Sequence, residues 1–413
     1  MAEDLVVVVV VRVVEIIFIT GGQSGITNTK SFGLNYSDNW GKKITANGSY
    51  FYNSTDNRLI QESNTENLFA TNGKFSKTNT DSRTRNYNHR FNMRIEYNID
   101  SANTLLFIPR ISTQTNSANK STLYEITGGD VNSTTNNLSF TDATSYNLSN
   151  DLIFRHKFAK QRRTLSLNLS TQKNVRNSEN TQLAVVDSEQ DNQYSESNTD
   201  GFTYSVNASY TEPITKYGML MVNLTTSNAQ NETDKETYRL GDQNVRLNRL
   251  DSLSNIYNND YISNRGGLSY NIRKGDLNFN MGIEYQRATL NGNQEFPQPG
   301  KVNKTFENFL PNMMLRYKMS AKSNLRVFFR SSTNAPSISQ LQKVIDNSNR
   351  LSLSTGNPKL KQEYSQNLMS QFSFANADKG INSFLFCREV IPKIILVTKL
   401  SMQRKIHLYP ITM

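Results

Sequence analysis

From Tyr87 to Ile99 the chain alternates without a break. Tyr87, His89, Phe91, Met93, Ile95, Tyr97 and Ile99 share one face of an extended strand, and Asn88, Arg90, Asn92, Arg94, Glu96 and Asn98 share the other. A helix would repeat its faces every 3.6 or so residues, so this period of two excludes one here. A run of 13 residues is roughly twice the ordinary strand of a soluble protein. One face of this strand meets an apolar surrounding over its whole length, while the other carries two arginines and a glutamate.

The same alternation recurs in pairs around short turns. Phe32, Leu34 and Tyr36 precede Asp38 to Lys42, and Ile44, Ala46, Gly48, Tyr50 and Tyr52 follow it. Turn centres fall near residues 40, 102, 161, 215, 274, 321 and 378, so a hairpin returns about every 56 residues. Seven hairpins predict about fourteen strands. Between them lie polar stretches at roughly 54–82, 113–142, 173–200, 226–259, 287–306 and 332–362, which read as long connections. Six long loops in alternation with tight turns are foreign to a compact domain. They suit an antiparallel transmembrane β-barrel, with short turns on the periplasmic side and long loops outside.

Composition supports this reading. Only 36% of the 413 residues are apolar, and 54 are asparagine, the first Asn28 and the last Asn382. Such a composition would suit a disordered chain were it not for 41 aromatic residues. A barrel wall reconciles the two, because lipid-facing positions are apolar while lumen-facing positions are polar. Backbone groups in lipid must all be paired, so the sheet must close. Arg90, Arg94 and Glu96 are therefore expected to face the lumen. Tyr36, Trp40, Tyr97, Phe158, Tyr210, Tyr217, Tyr270, Tyr317 and Phe374 gather near the short turns as an aromatic girdle. A soluble β-sandwich or an adhesin also alternates, but strand length and the asymmetry between turns and loops favour the barrel.

Other classes fall away on residue counts. Cys387 stands alone and cannot form an intramolecular disulfide; His89, His156 and His407 are too few and scattered for a metal cluster. No arrangement of nucleophile, base and acid is present, so no catalytic or metal-ligating residues, no cofactor and no enzymatic activity are expected, and the residues that touch ligand stay unknown. Asp187, Glu189, Asp191 and Glu196 read as solvated charge in a loop. The net charge of +11 gathers in short turns, at Lys42, Lys43, Lys160, Arg162 and Arg163 among others. No basic helix or aromatic–basic motif accompanies it, so nucleic acid is not an expected partner.

Both ends break the pattern. Residues 1–20 are Val-rich, carry Glu3 and Asp4 where a secretion signal carries Lys or Arg, and lack a cleavage site. A misread frame of a glycine-rich stretch explains the valines, since GGT codons read one base later become GTG. After Phe386, residues 387–413 contain no asparagine, which suggests a second change of frame or a truncation. Residues 21–386 form the expected barrel segment.

One stretch carries a resemblance. Ala335-Pro336-Ser337 with Gln340-Leu341, followed by Gly356-Asn357-Pro358-Lys359-Leu360-Lys361-Gln362-Glu363-Tyr364, closely resembles the barrel of the TonB-dependent receptors, in particular the outer-membrane β-barrel family common in Bacteroidetes. Pro336 and Pro358 stiffen the loop, Gly356 permits a turn and Leu360 can anchor the return into the sheet. Gly25 to Lys43 looks like an early hairpin of the same family. The resemblance implies part of a receptor in the outer membrane of a Gram-negative cell, importing an unidentified ligand, with lipid, a plug domain and the TonB complex as partners. No plug, TonB box or signal peptide is recognisable, and the family's barrels usually have about twenty-two strands. The chain is therefore expected to be an incomplete barrel, not functional as an isolated fragment. The alternative is an outer-membrane structural or adhesion barrel with no transport role.

Overall fold

The computed structural model describes residues 8–10, 25–67, 74–128, 132–297, 299–341, 345–346, 354–357, 359–376, 381–392 and 399–400. Among them, fourteen strands of 12 residues or more succeed one another. They are β1 (Ile26–Trp40), β2 (Ile44–Asn67), β3 (Lys74–Asn98), β4 (Asn103–Thr127), β5 (Ser133–Lys157), β6 (Thr164–Val186) and β7 (Gln193–Pro213). Then come β8 (Gly218–Leu240), β9 (Asn255–Lys274), β10 (Leu277–Phe296), β11 (Gly300–Ser320), β12 (Ser323–Asn334), β13 (Glu363–Asn376) and β14 (Ile381–Pro392).

Each strand pairs antiparallel with the next in the chain, which makes one continuous meander. The all-β antiparallel fold and its strand count are as the sequence predicts. The sheet is not closed: among the described residues no register joins β14 to β1. Val8–Val10 lies antiparallel on the free edge of β1, opposite Gly33–Asn35. No helix among the described residues is long and apolar enough to cross a membrane.

The short turns stand where the alternation breaks. Gly41 and Gly275 take positive φ, +69° and +53°, a conformation that costs glycine nothing. At Gly275 the turn is two residues long, with Lys274 opposite Leu277. In the last hairpin residues 377–380 lie outside the described set, but Asn376 pairs with Ile381 across the expected turn.

Five of the six polar stretches turn out to be strand over most of their length, the exception being 332–362. Pairing of β2 with β3 runs to Asn67 opposite Lys74, and that of β4 with β5 to Ile126 opposite Ser133. Glu196, expected in a loop, sits in β7 opposite Glu179. Strands of 20–25 residues measure about 65–80 Å. The expected ends marked where apolar alternation stops, and alternation is needed only where the outer face meets lipid. Beyond that height both faces meet water, and side-chain ladders accompany the backbone pairing. Asn180 Nδ2 donates to Thr141 Oγ1 at 2.6 Å, Asn303 Nδ2 to Asn291 Oδ1 at 2.7 Å, and Arg83 grips Asp56 at 2.6 and 2.9 Å.

Paired residues share a face, so the register carries face assignments from strand to strand. Phe91, Ile111, Leu148 and Val206 fall on one face and are exposed there, with Met281, Ile283 and Phe309 on its continuation. On β7 this apolar run is Phe202, Tyr204, Val206, Ala208 and Tyr210, and on β11 it is Phe309, Pro311, Met313, Leu315 and Tyr317. Nine residues of tilted strand rise about 25 Å, the height of the apolar band of an outer-membrane barrel. Girdle residues Trp40, Tyr97, Tyr217 and Tyr317 are exposed at its turn end; Trp40 Nε1 donates to Tyr36 OH at 2.7 Å.

Just below the band, the turn after β5 is tied to that after β7. Arg163 donates twice to Glu212, at 2.7 and 2.9 Å, Lys160 Nζ donates at 2.6 Å, and Tyr210 OH at 2.7 Å. The Arg163 guanidinium, then Lys160 and Tyr210, hold the Glu212 carboxyl down to about 2. A lowered folded-state value means that stability is present above the ordinary glutamate pKa and is lost as pH falls toward the folded one. We therefore expect the wild type to lose stability between about pH 4.5 and pH 2, and Glu212→Gln to lack that component. Unfolding midpoints measured across this window check it, and parallel curves for the two proteins would refute it.

Of residues 1–20 only Val8–Val10 is described. At the other end, β14 runs across position 386 to Pro392, and Lys399–Leu400 pairs with Ser354–Thr355.

Candidate functional site on the polar face of the sheet

The opposite face of the sheet is predominantly polar from β1 to β8 and mixed from β9 to β12, where Leu310, Met314 and Phe328 stand among Glu284, Asn312 and Arg330. Arg90, Arg94 and Glu96 lie on it, as the alternation of β3 requires, and the register extends their rows sideways. Arg90, Ser112, Asn147, Asn174, Gly201 and Asn231 stand directly opposite one another across β3 to β8. The neighbouring row is Asn88, Gln114, Ser145, Arg176, Thr199 and Thr233. These rows line a hollow of about 330 Å³. A second hollow of about 490 Å³, between Arg265, Glu284, Asn312 and Arg330, lies on the same face of β9 to β12.

Charge on this face is partly neutralised. Arg94 Nη2 meets Glu96 Oε2 at 2.5 Å, and Arg110 Nη1 meets Asp151 Oδ2 at 2.8 Å, with Ser170 Oγ donating to the same carboxylate at 2.6 Å. Among the described residues, Arg90 and Arg176 make no ion pair and are exposed. The other face, above the apolar band, carries one acidic row, in which Asp142, Glu179, Glu196 and Glu236 stand opposite one another. Arg246, 3.8 Å from Glu196, and Arg249, 3.0 Å from Glu236, offset part of the repulsion.

The late stretch after β12 folds onto the polar face instead of standing away from it. Pro336 is fully buried. Ser337 and Gln340 form a reciprocal cap: Gln340 N donates to Ser337 Oγ at 3.2 Å and Ser337 N to Gln340 Oε1 at 2.9 Å, which closes the single helical turn Ile338–Leu341. Asn357 N then reaches Gln340 O at 2.6 Å, and Asn357 Oδ1 accepts from Lys359 N at 2.9 Å. Leu341 and Leu360 bury themselves against Leu290, with Tyr257, Tyr261, Val302 and Phe306 around them. Fully buried Leu341 stabilises the docked form by about 1.5–3 kcal/mol, and the nearly buried Leu360 adds somewhat less.

Polar contacts lock the same segment. Lys304 Nζ donates to Leu360 O at 2.8 Å, and burial pushes this ammonium below the ordinary lysine value. Asn308 Nδ2 donates to Gln362 Oε1 at 2.6 Å, and Gln362 Nε2 to Tyr261 OH at 3.1 Å. Thr333 Oγ1 donates to the buried Gln286 at 2.6 Å, whose amide continues to Ser263 at 3.1 Å. Leu360 is thus the anchor that the sequence suggests. Pro358, the second expected stiffener, lies outside the described residues. Gln286, Tyr261 and Asn308 escaped the sequence reading, because an inward side chain on a polar face carries no signal of what docks on it.

His89 and His156 lie on the apolar face, and His407 lies outside the described residues. His89 sits 4.9 Å from the Tyr52 ring and its Nδ1 is 2.8 Å from Tyr50 OH, while His156 stands edge-on to Phe158 at 4.4 Å. Asp187, from the acidic group, receives Ser133 Oγ at 2.9 Å and Thr134 N at 2.8 Å and so closes the turn after β6. Among the described residues no group of three or more His, Cys, Asp or Glu is placed to hold a metal ion.

The model of one protein family, the outer membrane protein beta-barrel family, matches residues 156–402. No curated protein matches the chain.

Proposed function

The chain belongs to the outer membrane protein beta-barrel family, and from that membership we propose that it forms barrel wall in a TonB-dependent receptor, importing an unidentified ligand across a Gram-negative outer membrane. The observation that supports the reading is the docking of residues 336–341 and 360–362 on the inner face of β9 to β11, beside a wall of amides, hydroxyls and arginines on β3 to β8. A wall that only filled a membrane would have no use for an inward segment held by so many contacts. In this reading the turn end faces the periplasm and the tall strand ends face outward. Lipid meets the apolar band, and a plug domain and the TonB complex complete the machine. Its work is capture and passage, with no bond made or broken.

The height of the strands above the band favours a second reading, a structural or adhesion barrel, because it presents a broad polar surface outside the cell. One experiment separates the two. The gene is disrupted in its own host, TonB is disrupted in parallel, and both strains are grown on a panel of nutrient sources. Import predicts that a nutrient lost to the first strain is also lost to the second. Loss of surface attachment with every nutrient retained would overturn import in favour of adhesion.

A further inference from the structure

We propose that the polar face between β3 and β8 carries a binding site for an anionic ligand with a polar body, and that Arg90 and Arg176 are its two charge contacts. Three observations converge on this hollow. Both arginines line it, and neither is neutralised by a carboxylate among the described residues, whereas Arg94 and Arg110 on the same face each have an acid partner. Guanidinium groups left without a carboxylate, in a concave wall, are suited to bidentate capture of carboxylate or phosphate oxygens.

Gln114, Asn147 and Asn174 stand between the arginines and Thr199 and Asn231 beyond Arg176, side chains that both donate and accept. They suit a body rich in polar groups and offer little to an apolar one. The third observation is Gly201 on β7, opposite Asn174 and two residues from Thr199, the partner of Arg176. A Cβ there would come within 2.9 Å of Asn231 Oδ1, so glycine leaves room for the amide to lie across the wall. Three strand spacings and one register step separate Arg90 from Arg176, about 15 Å. The two backbones stand that far apart, so an elongated ligand with negative groups near both ends can meet both guanidiniums. Across the sheet, the acidic row on the outer face repels the same ligand and favours the inner route.

The inference rests on the import reading only in taking this face as the ligand's path. Its test is binding to the barrel purified in detergent from the outer membrane of its own host, together with the segments that complete the wall, with folding verified by the heat-dependent gel shift. Two probes separate the sources of negative charge, an oligoglutamate and a linear oligophosphate, each long enough to span about 15 Å. A neutral oligoglutamine serves as control. We expect at least one anionic probe to bind, more weakly as salt rises, and the neutral one not to. Arg90→Gln and Arg176→Gln should each weaken binding on the order of tenfold. Gly201→Val, which changes no charge, should weaken it too, and Arg287→Gln, on the outer face, should not. Binding by neither anionic probe, or binding unchanged in the double arginine variant, overturns the site. Binding without a shared nutrient phenotype would sink import and leave the site standing, and the converse would sink the site alone.

Discussion

Expressed without other segments and extracted into detergent, this chain is expected to show no compact, heat-sensitive band: boiled and unboiled samples migrate together, and membrane fractionation finds little of it inserted. The cause is the pair of open edges. β1 and β14 have no partner in each other among the described residues, and only Val8–Val10 covers part of the β1 edge. In water an open edge is a liability. In lipid each unpaired N–H or C=O costs several kcal/mol. A spanning length of about ten residues presents roughly that many unpaired groups per edge, so the cost reaches tens of kcal/mol, against a net stability of about 5–15 kcal/mol for a whole domain. A fast-migrating, detergent-resistant band that disappears on boiling would show that the edges find each other or a second copy, and would refute the expectation.

A charge placed on one face of β10 should be far more costly than the same charge on the other. Met281 sits at mid-height of the apolar band, opposite Tyr270 and Met313, and is exposed on that face. In the assembled barrel Met281→Arg should cost about 2–4 kcal/mol. Asn280, one residue away, faces the polar side opposite Asn271 and Met314. There Asn280→Arg should change stability by no more than about 0.5 kcal/mol, the usual range for a substitution without a buried partner. Urea unfolding of the two variants in lipid reads the difference directly. Equal losses would mean that the band is not what meets the membrane.

How far the residues announced this architecture depends on what each face must satisfy. Where the outer face meets hydrocarbon, every second residue is constrained, and the turn end of β3 could be placed to within a residue from the alternation of Tyr87 to Ile99. The seven turns were legible for a related reason, because Lys42, Arg163 and Lys274 interrupt the alternation with charge and Gly41 and Gly275 permit the reversal. Above the band that constraint lapses. Thr78, Asn79 and Thr80 serve a strand or a loop equally well in water, and only the partner row of Leu123, Thr122 and Tyr124 decides for the strand. The docked segment was half legible. Leu360 was recognisable as an apolar anchor inside a polar stretch, but its receptors Leu290, Tyr261 and Phe306 come from strands far away in the chain. Charge pairing was invisible for the same reason: only register shows that Arg110 meets Asp151 while, among the described residues, Arg90 and Arg176 meet no acid.

A meander in which every strand pairs only with its chain neighbours behaves as a nearly one-dimensional object. The partner of any residue in β2 to β13 is reached by closing one turn or one connection, so the entropy of loop closure is met in small, separate instalments. Growth can then proceed by laying one hairpin at a time against the last, with the exposed edge as the template for the next. Damage to one hairpin would stay local in energy, as in stacked repeats, yet would halt every later addition. The docked segment departs from this order, because Leu341 and Leu360 find their seat only after β9, β10 and β11 stand side by side, which makes its docking a late reporter of assembly.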